Sequence, residues 1–157
     1  MKYYFLSSRL SSGNYEALLQ WALESCTKFS LVWRASLPFN KKAKNIEIKL
    51  KRYLLKEEKT NQWPGTKILG LADNILRLYK ITRESIEILK VAGGIYNWQS
   101  PDFPEDLAFY KSVGRAWFGS VAHEKMSFFP EPAFSQNEII KRIGKIRIEE
   151  KLIEVDS

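Results

Sequence analysis

The spacing of apolar residues changes several times along the chain, and each change marks an element. Lys2–Leu10 is dense in tyrosine, phenylalanine and leucine, a composition that suits a strand. From Tyr15 the spacing becomes helical: Tyr15, Leu18, Leu19, Ala22, Leu23 and Cys26 fall on one stripe. Ser11-Ser12-Gly13-Asn14 supplies the turn and N-cap before it, because a short polar side chain accepts from the first free helix N–H groups. Glu16 suits the positive end of the helix dipole. Phe29, Leu31 and Trp33 then alternate with Ser30, Val32 and Arg34, which predicts a second strand. Strand, helix and strand in such short order imply a helix lying on one face of a sheet.

The middle of the chain is more polar. Ala35–Asn45 reads as a loop broken by Pro38 and carrying Lys41, Lys42 and Lys44. Ile46–Leu55 alternates like a strand at Ile46, Ile48 and Leu50. It also fits a helix through Ala43, Ile46, Leu50, Tyr53 and Leu54, and the helix fits better. Lys56–Gln62 reads as a polar connection. Trp63-Pro64-Gly65 predicts a turn, since proline presets one position and glycine supplies positive φ at the next. Lys67–Ala72 and Ile75–Ile81 flank Asp73-Asn74 and predict a hairpin. Thr82 caps a helix over Arg83–Ala92, which Gly93-Gly94 ends. Those two glycines lack the spacing of a phosphate-binding loop.

The stretch from Pro101 to Phe129 gathers the candidate chemistry. Pro101 and Pro104 stiffen its start. Leu107–Tyr110 and Ala116–Ala122 predict two strands about a Val113-Gly114 turn, with strand resuming at Met126–Phe129. In such an antiparallel hairpin, Glu105-Asp106 at one end and His123-Glu124 at the other become neighbours. Two readings of that rim stay open. An imidazole oriented by carboxylates is an acid/base or metal site. Alternatively the acids accept backbone N–H groups and the histidine is structural. The structural reading has the greater weight, since titratable clusters mark sites only probabilistically.

Beyond Phe129, Pro130 and Pro132 break the sheet, and Ser135-x-x-Glu138 is a capping-box pattern. It opens a terminal helix with Ile139, Ile143 and Ile146 on one face; Gly144 weakens it, and the tail from Glu150 reads as polar and frayed. The element order lacks a long β-α alternation. It predicts an α+β fold: one domain over 1–157, a mostly antiparallel or mixed sheet, and three to four helices packed on it.

Composition narrows the function. With 45% apolar residues the chain can bury a core. One cysteine, Cys26, and one histidine exclude an internal disulfide, a cysteine zinc cluster and a multi-histidine metal site. No cofactor motif is present, and no cofactor or metal is expected. No apolar run approaches the ~20 residues needed to span a bilayer, and no secretory signal is convincing. A cytoplasmic protein with a free thiol is the expectation. Net charge is +7, which favours an acidic protein surface or a nucleic acid as partner. Basic residues cluster at Lys41-Lys42-x-Lys44, at Lys49-x-Lys51-Arg52 and at Lys141-Arg142-x-x-Lys145-x-Arg147, though no nucleic-acid motif accompanies them. Trp63 and Trp117, with Lys41, Lys42 and Lys44, are the candidate partner-binding residues.

Trp63-Pro64-Gly65-Thr66, Pro104-Glu105-Asp106-Leu107-x-Phe109 and Trp117-x-x-Ser120-Val121-Ala122-His123-Glu124 together resemble a family of small uncharacterised proteins of Bacillus-type bacteria. Its members often carry a sporulation-protein label. The resemblance spans roughly residues 45–129 and implies a small bacterial cytosolic protein carried on mobile or prophage DNA. It assigns no catalytic role to any residue. The expected function is a non-enzymatic interaction protein that binds and blocks another protein, as immunity proteins, antitoxins or phage anti-defence proteins do. The alternatives are a small hydrolase-like enzyme using His123 with Glu105, Asp106 or Glu124, and a nucleic-acid binder.

Overall fold

The computed structural model describes residues 1–112 and 114–154. β1 (Lys2–Leu6) leads into α1 (Ser12–Ser25). Ser11 caps that helix: its hydroxyl accepts from the Asn14 N–H at 3.0 Å, and the Asn14 carboxamide accepts from the Ser11 N–H at 2.9 Å. Two free N–H groups are thereby satisfied reciprocally. β2 (Lys28–Trp33) and α2 (Lys41–Leu50) follow. β3 (Leu54–Thr60) is joined through a small hairpin, β4 (Gln62–Trp63) and β5 (Thr66–Lys67), to β6 (Asn74–Lys80). Then come α3 (Arg83–Leu89), β7 (Glu105–Tyr110), β8 (Gly119–Val121), β9 (Met126–Pro130), α4 (Gln136–Ile143) and β10 (Ile148–Leu152). This is the predicted α+β fold.

Among the described residues the strands form two four-stranded antiparallel sheets, ordered β10-β1-β9-β8 and β3-β6-β2-β7. A single bridge, Phe109 to Phe118, joins β7 of one to the start of β8 in the other. Each sheet is built from a β-α-β-β-α-β sequence with the same strand order. The central unit runs β2-α2-β3-β6-α3-β7. The outer one runs β1-α1, then β8-β9-α4-β10, so the central unit is inserted within it.

The helices neighbour one another in the order α4, α1, α3, α2. One core lies between them and the sheets, with Tyr4 and Leu6 of β1, Phe29 and Leu31 of β2, Phe109 and Phe129 among its strand residues. Tyr15 of α1 is fully buried there, donating its hydroxyl to the Leu89 carbonyl at 2.5 Å and accepting from the Trp98 indole at 2.9 Å. Burial pushes that phenol well above its ordinary value, so it stays a donor. The alternate strand residues Lys28, Ser30, Leu76, Leu78, Ala108 and Tyr110 face away from the helices. Across the strands Ser30 pairs with Leu78 and Ala108, and Lys28 with Tyr110.

Several local readings are corrected. The lysines expected in a loop open α2, which Asn40 caps by accepting from Lys42 and Ala43. Lys56–Gln62, read as a connection, is mostly strand β3, paired along β6. Trp63-Pro64-Gly65 does turn, with Gly65 at φ +83, but residues 68–73 form no strand. The hairpin partner of β6 is therefore β3. Ala116–Ala122 does return antiparallel beside Leu107–Tyr110, with three backbone hydrogen bonds between Phe109 and Trp117 or Phe118 and the Ser120 hydroxyl donating to the Leu107 carbonyl at 2.7 Å, but the two strands form no continuous ladder and belong to different sheets. Val113 of the expected turn lies outside the described residues. The tail expected to fray pairs with β1 as β10 as far as Leu152.

The β4–β5 hairpin lies over the sheet junction as a strap. A Cβ at Gly119 would stand 2.7 Å from Phe128 Cζ and 3.0 Å from Pro64 Cβ. Gly119→Ala is expected to lower stability by about 1–3 kcal/mol through this overpacking, read by urea denaturation; an unchanged midpoint would show that the strap yields freely.

Candidate binding site

The sequence pairs Glu105-Asp106 with His123-Glu124 at one rim, and the structure brings Glu105, Asp106 and His123 within electrostatic reach of one another. The antiparallel return of the chain past Phe109 and Phe118 places them there, as the sequence predicts, without a continuous ladder and with an irregularity on the other side of β7. The β2–β7 register slips between Ser30, opposite Ala108, and Val32, opposite Glu105. Asp106 occupies the bulge with φ 57, a left-handed conformation that aspartate tolerates better than most residues. Its Oδ2 accepts from the Trp63 indole at 2.8 Å and its Oδ1 from the Ala122 N–H at 3.0 Å. Its own N–H donates to the Trp98 carbonyl at 3.2 Å.

Glu105 is also buried. One carboxylate oxygen accepts from the Ser100 N–H at 3.3 Å, and the other has no hydrogen-bond partner among the described residues. Burial, reinforced by the Asp106 charge, raises its pKa to about 7; the Ser100 N–H, Arg34 and His123 act in the opposite direction. Burial also raises Asp106, against the Trp63 and Ala122 hydrogen bonds. His123 is half exposed, with its Nε2 3.9 Å from Glu124. Among the described residues no group of three or more His, Cys, Asp or Glu side chains is placed to hold a metal ion. Cys26 is buried, which pushes its thiol up to about 12 and makes it a poor nucleophile.

The proposed partner residues divide. Trp63 is only 4% exposed and Trp117 8%. Trp63 is held by Asp106, and the Arg34 guanidinium lies 5.9 Å from its ring centroid. Trp117 packs edge-on against Trp21 and Phe129. Lys41, Lys42 and Lys44 are exposed on the first turns of α2, whose Ala43, Ile46 and Leu50 face the core.

Two surface features were not singled out from the sequence. The first is the loop 68–73. Leu69 is 91% exposed and Leu71 89%, yet the loop is tied down. The Asn61 side-chain amide donates to the Gly70 carbonyl at 2.7 Å, and the Ile68 N–H donates to the Asn61 carbonyl at 2.8 Å. The second is a groove of about 590 Å³ on the sheet face away from the helices. Leu76, Leu78, Tyr110 and Ala116 line it, Trp63-Pro64-Gly65 of the strap form one wall, and Lys28, Lys56, Glu58 and Arg115 stand around it. None of Glu105, Asp106 and His123 lines this groove. Among the described residues no helix is long and apolar enough to cross a membrane.

No protein-family model, no curated protein and no solved structure matches this chain.

The buried Glu105 gives a pH test. In the unfolded chain it loses its proton near the ordinary value of 4.5; in the folded protein it keeps it to about 7. Between those values the folded state binds more protons, so this group's contribution to stability falls as pH rises through that window and is level above it. Glu105→Gln is therefore expected to gain stability over the parent as pH rises from about 4.5 to 7. Urea denaturation at pH 5 and pH 8 checks this, and an equal gap at both would count against an ionising Glu105.

Proposed function

We propose that the protein acts without catalysis, by binding an acidic protein and blocking it, as immunity proteins, antitoxins and phage anti-defence proteins do. The observation that carries this reading is the loop 68–73. Two leucines stand almost wholly in water on a segment whose backbone is pinned by Asn61. Exposed leucines on an ordered loop are a ready anchor, because little conformational freedom remains to be lost on binding. Charge supports the class of partner. The chain carries +7, and Lys41, Lys42 and Lys44 crowd the N-terminal turns of α2, the end at which the helix dipole disfavours cations. An acidic surface relieves that repulsion and speeds encounter.

The enzymatic alternative draws on one observation, a carboxyl of near-neutral pKa beside His123. Against it, Glu105 is buried and both Asp106 oxygens are occupied by Trp63 and Ala122. The reading as a nucleic-acid binder has the lysines alone. The resemblance to small proteins of Bacillus-type bacteria is compatible with a blocking role in a cytoplasmic setting.

The test is affinity capture from host lysate with nuclease present, followed by quantitative binding of the captured protein. Leu69→Ser with Leu71→Ser is expected to weaken binding at least tenfold and leave the melting temperature unchanged. His123→Ala is expected to change neither. Binding lost in His123→Ala but retained in the double leucine variant would reverse the assignment.

A further inference from the structure

We infer that the groove on the open sheet face is the seat for an extended acidic segment of the partner, with one apolar side chain inserted between Leu76, Leu78 and Tyr110. This rests on the reading of the protein as a binder of acidic proteins and adds where the acidic segment goes. The first ground is charge. Lys28 of β2 and Lys80 of β6 are directly opposed cross-strand partners, and side chains so placed project from the same face. Like charges in that relation repel, and among the described residues neither lysine makes an ion pair. Lys28 lines the groove and Arg115 stands beside it, while Lys56 is 3.5 Å from Glu58 and Arg115 is paired with Glu131. The unmet charge thus lies at the Lys28–Lys80 end, and an anion there removes a repulsion already present.

The second ground is shape and chemistry. The groove floor is apolar, with Leu76 and Leu78 on β6, and the Tyr110 hydroxyl is already satisfied by Ser30 at 2.9 Å. Such a floor asks for an apolar side chain. At about 590 Å³ the space takes one or two side chains and the backbone between them, not a folded domain. The third ground is continuity. The strap that walls the groove, β4 and β5, runs directly into the loop bearing Leu69 and Leu71. A partner anchored on the leucines therefore has the groove adjacent along the same chain.

The experiment uses the full chain and fluorescently labelled synthetic peptides read by anisotropy. The probe is a ten-residue peptide of aspartate and glutamate with one central leucine. The comparisons are the same peptide with serine for leucine, its lysine counterpart, and a single-stranded oligonucleotide of equal charge. The leucine peptide is expected to bind at least tenfold tighter than the serine peptide, and the lysine peptide not at all. Lys28→Glu with Lys80→Glu is expected to weaken it at least tenfold. Lys141→Glu with Lys145→Glu, the same change in net charge elsewhere, is expected to leave it within about twofold. Lys80→Gln alone, at an exposed position, keeps the test valid if the double variant unfolds, and is expected to weaken binding about threefold or more.

Absence of binding, equal loss in both double variants, indifference to the leucine, or tighter oligonucleotide binding that the Lys28 and Lys80 substitutions abolish would each overturn the assignment. If the captured partner still needs Leu69 and Leu71 while the peptide fails, the groove inference falls alone. If no acidic partner is captured, the functional reading falls with it.

Discussion

Asp106 holds four parts of the chain at one point. It sits in a bulge of β7 in the left-handed region, where its two carboxylate oxygens accept from the Trp63 indole and from the backbone at Ala122. Its own N–H closes onto Trp98. Those bonds tie the strap to the edge of the central sheet and the end of β8 to the same edge. The Phe109–Phe118 bridge and the Ser120–Leu107 hydrogen bond alone would be a slender join for two sheets. The buried carboxylate reinforces it with charge-assisted hydrogen bonds, which are stronger than neutral ones. The cost is a second acid next door, Glu105, which burial and the Asp106 charge drive toward the neutral form.

Where apolar residues face a core from a regular element, the chain is readable. The stripe of α1, the alternation of β2, and the caps at Ser11, Thr82 and Ser135 all recur in the structure. The two strands that do not show in the sequence share one cause. β3 and β10 are outer strands of their sheets, with sequences LLKEEKT and IEEKL, and most of their side chains are exposed. Charged outer strands discourage pairing with other chains, and the same charges erase the apolar alternation that would reveal a strand. Lys67–Ala72 misleads in the opposite direction, since its leucines resemble a strand and nothing local says that they stay in water.

The candidate site shows the same division. The proximity of His123 to Glu105 and Asp106 follows from the antiparallel return of the chain, which the structure makes through Phe109, Phe118 and Ser120 rather than through a regular ladder. Burial of Trp63 and Trp117 was not legible, since tryptophan suits cores and recognition surfaces alike. The groove was hidden because its wall and floor come from segments distant in sequence, Trp63-Pro64, Leu76, Leu78 and Tyr110. The opposition of Lys28 and Lys80 depends on strand register, which spacing alone does not supply.

The nesting of one β-α-β-β-α-β unit inside the other has an entropic corollary. The central unit begins at Lys28 and finishes at Tyr110, and those two residues are opposed across the β2–β7 ladder. The Thr27 N–H donates to the Tyr110 carbonyl at 2.9 Å, and the Thr27 hydroxyl to the Lys111 carbonyl at 3.0 Å. Once the central unit has folded, the outer unit experiences the whole insertion as a short closed connection between α1 and β8. Closing that connection then costs little chain entropy. The two sheets are thus suited to an order of assembly in which the inner unit forms first and delivers the two halves of the outer one to each other.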